Sequence, residues 1–356
     1  MLADKKANAG WSGMLLLDAG DALSPSHTLA EPQRARVVAT AELIVAQYAV
    51  QGVDALAVGD RDLALGVDTL RRLASDSKVP FVATNLLDAG GAAVFRRYVV
   101  VERAGLRVLV LGLVGASGQR LAERTVGAEG LRFQPIAEAA KAALAEAGKV
   151  DVVVVLSQLS PAEEGELAKA VPETRLILGG DGMGMSPDVD PKGAAVSLAG
   201  GQKGKHVGVA TITFSDPRGP SAPLVDPDRK AAIEGRKAAA QRRVQSLERL
   251  IAQAKEASTT TEGAGARPAR RTPVEAYERQ LATARAELQL ADQELADVTA
   301  TPGDQGNRVE FDLVPMDPAL ADEPKTKAAV DQFRTIWPDP TKASAHPPVA
   351  PPGPPD

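Results

Sequence analysis

The chain has 356 residues, 44% hydrophobic but only 3% aromatic, so a core sized for about two domains must be built from Ala, Val and Leu. The net charge of −5 supplies no basic field for nucleic acid, and the absence of cysteine excludes disulfides, thiolate zinc sites, Cys nucleophiles and CxxCH haem attachment. Residues 1–13 hold no apolar signal core, and no window approaches the roughly 18 apolar residues of a membrane helix.

Ala3 to Asn8 reads as the end of a helix. Met14 to Leu17 is the first predicted strand, running into Asp18-Ala19-Gly20-Asp21. An apolar run that stops in a small-residue turn with a carboxylate suits an interior strand of an α/β sheet, whose carboxyl end is where ligands bind. Asp54–Val58 before Gly59-Asp60, Asp151–Leu156 before Ser157-Gln158, and Arg175–Leu178 before Gly179-Gly180-Asp181 repeat the pattern. Between them, helices are predicted over 31–50, with Val37, Ala41, Ile44, Val45 and Tyr48 on one face and Gly52 as a stop, and over 67–74, 136–147 and 161–170. Pro80–Ala83 is a further strand. Val94–Glu102 and Leu106–Gly112 form a predicted hairpin around Arg103-Ala104-Gly105, and Ala194–Ala199 and His206–Phe214 are later strands. Alternating strands and helices with hairpins predict a mixed-sheet α/β domain over residues 1–216.

Composition changes at Asp226. Ile233, Ala240, Val244, Leu247, Ile251 and Ala254 fall on alternating three- and four-residue steps with Lys237 as the one exception, and Tyr277, Leu281, Ala284, Leu288, Ala291, Leu295 and Val298 resume them. Two matched arms, each about 26 residues or roughly 40 Å at 1.5 Å per residue, predict an antiparallel helical hairpin over 226–300. Asn307–Val314 alternates as a strand, and its expected partner is 207–214, so residues 305–316 return to the sheet and the hairpin is an insertion. A short helix or arm is predicted over 321–337, followed by a Pro-rich tail, 338–356, expected to be disordered.

Six blocks in order resemble the 5′-nucleotidase branch of the calcineurin-like metallophosphoesterases, which includes UDP-sugar hydrolases and thiosulfohydrolases. They are LLLDAGDAL (15–23), DALAVGDRDLALG (54–66), VPFVATNL (79–86), DVVVVLSQLS (151–160), LILGGDGM (176–183) and SLAGGQKGKHVG (197–208). The resemblance implies an α/β fold, a four-layer α/β/β/α sandwich with an inserted antiparallel coiled-coil hairpin, and two metal ions at the strand ends that activate water. It also implies a first strand ending in Asp-x-His, for which nothing upstream of Met14 is a counterpart.

Asp21 matches the bridging carboxylate, and Asp60 keeps an oxygen ligand position. Arg61 replaces the catalytic His, and Arg cannot exchange a proton at neutral pH. Gln158 replaces a metal-binding His, and Asp181 and Met183 replace two more. Asn85, Gly200 and Gly201 are the expected substrate-side positions. The chain has three histidines, all off these motifs: His27 in a loop, His206 opening a strand and His346 in the tail. Each is expected outside the site. An all-oxygen site from Asp21, Asp60, Asp62, Asp181 and Gln158 would suit Mg²⁺ or Ca²⁺; the alternative is that these are solvated turn residues. Gly200-Gly201-x-x-Gly204-Lys205 lacks P-loop spacing, and Gly180-x-Gly182-x-Gly184 lacks the third glycine of a dinucleotide fingerprint.

The expected function is a metallophosphoesterase-like domain that has lost its hydrolytic site and serves binding or scaffolding, with no cofactor. The alternative is an active phosphoester hydrolase with an altered site and a truncated N-terminus, dependent on Mg²⁺, Mn²⁺ or Ca²⁺. A third reading is a binding component of an exported electron-transfer assembly. Self-pairing of its two arms is the expected role of 226–300, with a protein partner as the alternative; no nucleic acid and no transmembrane segment are expected. The resemblance implies a periplasmic or cell-envelope location; the cytoplasm is the alternative.

Overall fold

The computed structural model describes residues 12–122, 130–179, 186–201, 204–216, 219–259, 273–300, 307–317 and 322–338. In chain order the elements are β1 (Leu17–Asp18), α1 (Glu31–Gln51), β2 (Ala55–Ala57), a 3-10 turn (Asp62–Leu65), α2 (Val67–Ser77), β3 (Phe81–Val82), β4 (Leu86–Leu87), β5 (Tyr98–Arg103) and β6 (Leu106–Val114). They continue with α3 (Ala116–Ala122), β7 (Arg132–Phe133), α4 (Ile136–Ala147), β8 (Val152–Gln158), α5 (Pro161–Ala170), β9 (Thr174–Gly179), β10 (Ser186–Lys192), β11 (Ala195–Ala199) and β12 (His206–Thr213). The last are β13 (Leu224–Val225), α6 (Arg229–Thr259), α7 (Pro273–Ala300), β14 (Asn307–Pro315) and α8 (Pro324–Ile336). The chain divides into two compact units, one of residues 1–211, 218–224 and 311–356, the other of 212–217 and 225–310.

The first unit is mixed α/β. A small parallel sheet runs β1-β2-β3, and a six-stranded sheet runs β10-β11-β9-β8-β6-β5. In the large sheet β6, β8, β9 and β11 are parallel, while β5 and β10 close the two edges antiparallel. The continuous apolar run Val152–Leu156 is buried throughout, as a central parallel strand requires. Ala140 and Ala143 of α4 and Leu167 of α5 pack on Leu109, Leu111, Val153, Val155 and Ile177 of this sheet. On the small sheet, Ala41 and Val45 of α1 and Leu70 and Leu73 of α2 cover Leu56 and Phe81. Fully burying each large side chain is worth about 1.5–3 kcal/mol. At Gly112 of β6 the two sheets touch: a Cβ there would stand 2.6 Å from the Val82 carbonyl oxygen.

Helix ends follow local chemistry. Gly52 ends α1 in the left-handed region at φ 72°. Ser160 and Glu163 form a reciprocal capping box at the start of α5. Helix α2 runs on to Ser77, beyond the expected end at Ala74, because Lys78 adopts the left-handed stop at φ 62°. Strand β1 is shorter than expected and includes Asp18. Strand β10 was not expected: Pro187 and Pro191 argue against a strand, but an edge strand tolerates proline. Helix α8 starts at Pro324, where Glu323 accepts the N–H groups of Lys325 and Thr326.

In the second unit, α6 and α7 run antiparallel. Arg236 pairs with Glu294, Arg243 with Glu287, Glu248 with Arg285 and Lys255 with Glu278, one index rising as the other falls. Leu247, Leu281 and Ala284 are buried between the helices, with Val244, Ile251 and Tyr277 against them. Strands β12, β14 and β13 lie side by side in that order. Among the described residues no helix is long and apolar enough to cross a membrane. The expected helix end at 3–8 and the tail from 339 lie outside the described residues.

Candidate functional site

Parallel pairing of Leu17 with Ala55 and Asp18 with Leu56 brings the carboxyl ends of β1 and β2 side by side. Each then turns through a Gly-Asp pair. Gly20 has φ 100° and Asp21 φ 60°, so both occupy the left-handed region. The turns nest because neither glycine carries a Cβ. One at Gly59 would stand 2.1 Å from Asp21 Oδ1, and one at Gly20 would stand 2.9 Å from the Gly59 nitrogen. Behind them, the Tyr48 hydroxyl donates to Asp18 Oδ2 at 2.5 Å and the Gly20 N–H to Asp18 Oδ1 at 2.9 Å.

Asp62 is fully buried and organises the corner. Its Oδ2 accepts the N–H groups of Asp21 (2.9 Å) and Gly59 (3.0 Å), and its Oδ1 those of Leu23 (2.8 Å) and Ser24 (3.3 Å). Burial first, then the Asp21 charge, push its carboxyl up to about 7, while the backbone donors pull it down. Four N–H groups engage the approximately four lone-pair sites of a carboxylate, so Asp62 is a loop clasp rather than an open ligand. Fully buried, it is not the solvated turn residue that was the alternative to an all-oxygen site.

Asp21 is held by Arg61. Its Oδ1 accepts the Arg61 backbone N–H at 2.9 Å and its Oδ2 the Arg61 Nε–H at 2.8 Å. The Asp21 side chain is 3% exposed and that of Arg61 35%. Asp60 is held by His27, whose Nε2 lies 2.5 Å from Asp60 Oδ2. Burial foremost, then the Asp21 charge, push the Asp60 carboxyl up, opposed by His27. Gly118 of α3 leaves room for this carboxylate, since a Cβ there would stand 2.9 Å from Asp60 Oδ1. His27 was expected outside the site and lies in it. Its position six residues after Asp21 was visible in the sequence, but nothing local shows that the loop folds back over β2.

Gln158, at the end of β8, reaches the same corner from the large sheet. Its Nε2 donates to the Ala19 carbonyl at 2.9 Å, and its Oε1 is buried with no hydrogen-bond partner. Asn85 was expected to face a substrate. Its amide instead donates to the Val114 carbonyl at 2.9 Å and accepts the Val114 N–H at 3.1 Å, bonding β6 backbone inside the core. Gly200 and Gly201 follow β11, and a Cβ at Gly200 would meet nothing within 4 Å, so no close backbone approach requires a glycine at Gly200. Asp181 and Met183 lie outside the described residues.

Among the described residues, those at this corner do not fit a two-metal centre. Both oxygens of Asp21 face Arg61, one oxygen of Asp60 faces His27, and Asp62 is saturated by backbone. Among the described residues no group of three or more His, Cys, Asp or Glu side chains is arranged to hold a metal ion.

No protein-family model matches the chain, and no curated protein matches its sequence. Solved structures do. The sulfate thiohydrolase SoxB of Thermus thermophilus, solved with glycerol, aligns at TM-score 0.50 and 22% identity, over 59% of this chain and 38% of that one. About three-fifths of the chain shares the fold of that thiohydrolase. A 5′-nucleotidase precursor from Thermus thermophilus aligns at TM-score 0.47 and 25% identity, over 60% of this chain and 44% of that one. The calcineurin-like phosphoesterase YfkN of Bacillus subtilis aligns at TM-score 0.45 and 17% identity, over 55% and 70%. The chain spans 38% and 44% of the length of the first two. The corner built by Asp21, Asp60, Asp62 and Gln158 lies at the strand ends, where α/β sheets place their ligands.

Proposed function

We propose that this chain is a metallophosphoesterase-fold protein of the 5′-nucleotidase branch that binds or scaffolds rather than hydrolyses. The reading takes residues 1–216 as a four-layer α/β/β/α sandwich, 226–300 as an inserted antiparallel coiled-coil hairpin available to a protein partner, and 305–316 as the strand that returns to the sheet. One observation carries it: the Arg61 side chain and backbone occupy both oxygens of Asp21, the carboxylate that the resemblance assigns to a metal bridge. Arg61 also stands where that resemblance calls for a proton-exchanging His, and a guanidinium cannot exchange protons at neutral pH. A periplasmic or cell-envelope location, with the cytoplasm as the alternative, belongs to the same proposal.

The second reading, a divalent-metal-dependent phosphoester hydrolase with an altered site, is favoured by Gln158 Oε1, a buried oxygen left without a partner beside the β1 turn. Assays with p-nitrophenyl phosphate and nucleotides in added Mn²⁺ decide between the two. The expected result is no turnover above background. Sustained turnover that EDTA abolishes would establish the second reading instead.

A further inference from the structure

Helix α1 presents three faces. Val37, Ala41, Ile44, Val45 and Tyr48 turn to the core of the small sheet. Glu42, Ala46 and Ala49 are exposed. Between these lies a second stripe, Arg36, Ala39, Thr40, Leu43 and Gln47, which is half-buried, and neither Ala39 nor Leu43 belongs to the core cluster beneath the helix. Steps of three and four residues put this stripe on one side of α1. A surface helix needs one buried face; a second one needs a cover of its own.

The cover is α8. The Thr326 hydroxyl donates to Gln47 Oε1 at 2.9 Å, and Arg36 Nη1 donates to the carbonyl of Pro338, just past the end of α8. These two contacts run the helices antiparallel over about three turns, roughly 16 Å at 1.5 Å per residue. The half-buried residues of α8 are Thr326, Ala329, Val330, Phe333 and Trp337, again on one face. No residue of α8 is fully buried. What shapes it as a helix is local: Glu323 caps its first turn, and Lys327 and Arg334 pair with Asp331 at 3.3 and 3.8 Å on its exposed side. A 13-residue helix is marginal in water alone, so docking on α1 completes it.

We infer that the outer face of α1 is a docking groove for one amphipathic helix, and that the chain's own α8 fills it as a displaceable strap. This is recognition of a helix in a groove, read through anchors on one helical face. A partner helix that displaced α8 would have to repeat its stripe: a hydroxyl, two small or branched apolar residues and two aromatics, on steps of three, one, three and four. The surface belongs to the first unit and is distinct from the hairpin 226–300. The inference does not depend on whether the chain hydrolyses.

The test is fluorescence anisotropy with a labelled synthetic peptide of residues 322–338 added to the full chain. Wild type is expected to show no saturable binding, because its own α8 holds the groove. The full chain with Val330→Asp and Phe333→Asp, which put charge on the docked stripe, is expected to bind the peptide at least about tenfold more tightly than wild type does. Adding Leu43→Asp in α1 should abolish that gain, and a peptide with Val330→Asp and Phe333→Asp should not bind. A folded double variant that gains no binding overturns the groove, and a wild type that binds as tightly as the variant overturns the strap. A double variant that does not fold makes α8 part of the core and overturns the inference as well. Amide hydrogen exchange of the wild type is the second measurement. Helix α8 is expected to exchange at least about tenfold faster than Ala41–Val45 of α1, and equal protection overturns the strap.

Discussion

The Asp62 carboxylate accepts the backbone N–H of Asp21 at 2.9 Å, tying the 3-10 turn after β2 to the turn after β1. An amide at position 62 would place an NH₂ against two N–H donors, whichever way it pointed. Asp62→Asn is therefore expected to destabilise the chain by about 3 kcal/mol, the scale of lost charge-assisted bonds plus buried unpaired donors. Denaturant unfolding at about pH 8, above the pKa of about 7, checks this. A loss below about 0.5 kcal/mol would show that water replaces the clasp at little cost.

The nested turns make a second prediction. Gly59→Ala puts a Cβ 2.1 Å from Asp21 Oδ1 and 2.6 Å from its backbone nitrogen, so the two turns must separate. The expected cost is on the order of 3 kcal/mol, with loss of hydrogen-exchange protection at the Arg61 amide. At Gly105, where φ is 78° but nothing lies within 4 Å of a Cβ, substitution should cost only about 1 kcal/mol.

The pH dependence has a definite sign. Burial pushes Asp60, Asp62 and Glu164 up, Asp62 to about 7. The folded state thus keeps these protons to higher pH than the unfolded chain, whose carboxyls titrate near pH 4. Their stabilising contribution is complete below about pH 4 and is lost as pH rises through the folded values. The melting temperature is expected to fall between about pH 5 and about pH 8, and the step near pH 7 should vanish in Asp62→Asn. A wild-type melting temperature that rises over this window would refute the assignment.

Glu164 of α5 accepts the Ser157 hydroxyl at 2.7 Å and the Ser197 hydroxyl at 2.8 Å, from β8 and β11. Glu164→Gln keeps one acceptor and supplies a donor to a hydroxyl that can rotate, so a cost of about 1 kcal/mol or less is expected. Glu164→Ala leaves a cavity and two hydroxyls without their acceptor, and about 3 kcal/mol is expected. Equal effects in chemical unfolding would argue against the bridge.

In the helical unit, Ala284 is fully buried beside Leu247 and Leu281. Ala284→Leu should overpack this contact and cost about 1–3 kcal/mol. Arg243→Ala, which removes a half-exposed ion pair with Glu287, should cost under about 0.5 kcal/mol. Helical melting of the full chain by circular dichroism separates the two.

Elements whose pattern is local were legible in the sequence. Helices 136–147 and 161–170 match α4 and α5, because alanine-rich amphipathic runs and a Ser-x-x-Glu box declare their own ends. The hairpin expected from Val94–Glu102 and Leu106–Gly112 forms as Tyr98–Arg103 against Leu106–Val114, turning at Ala104 and Gly105, both at positive φ. Asp21 and Asp60, at two of the Gly-Asp strand ends, lie beside each other's turns, and Gln158 reaches the Ala19 carbonyl from β8. Their partners were not legible. That Arg61 turns onto Asp21, that His27 folds over Asp60 and that Asn85 serves β6 backbone are long-range facts, set by which strands lie side by side. The 3-10 turn at Asp62 was missed because a four-residue element has no periodicity to read.

Strand β8 ends in two adjacent residues that face opposite ways, as a strand must. Ser157 bonds to Glu164 on the outer helix, and Gln158 bonds to Ala19 at the acidic corner. Two side chains on either side of one peptide thus tie α5 and the β1 turn to the same strand end.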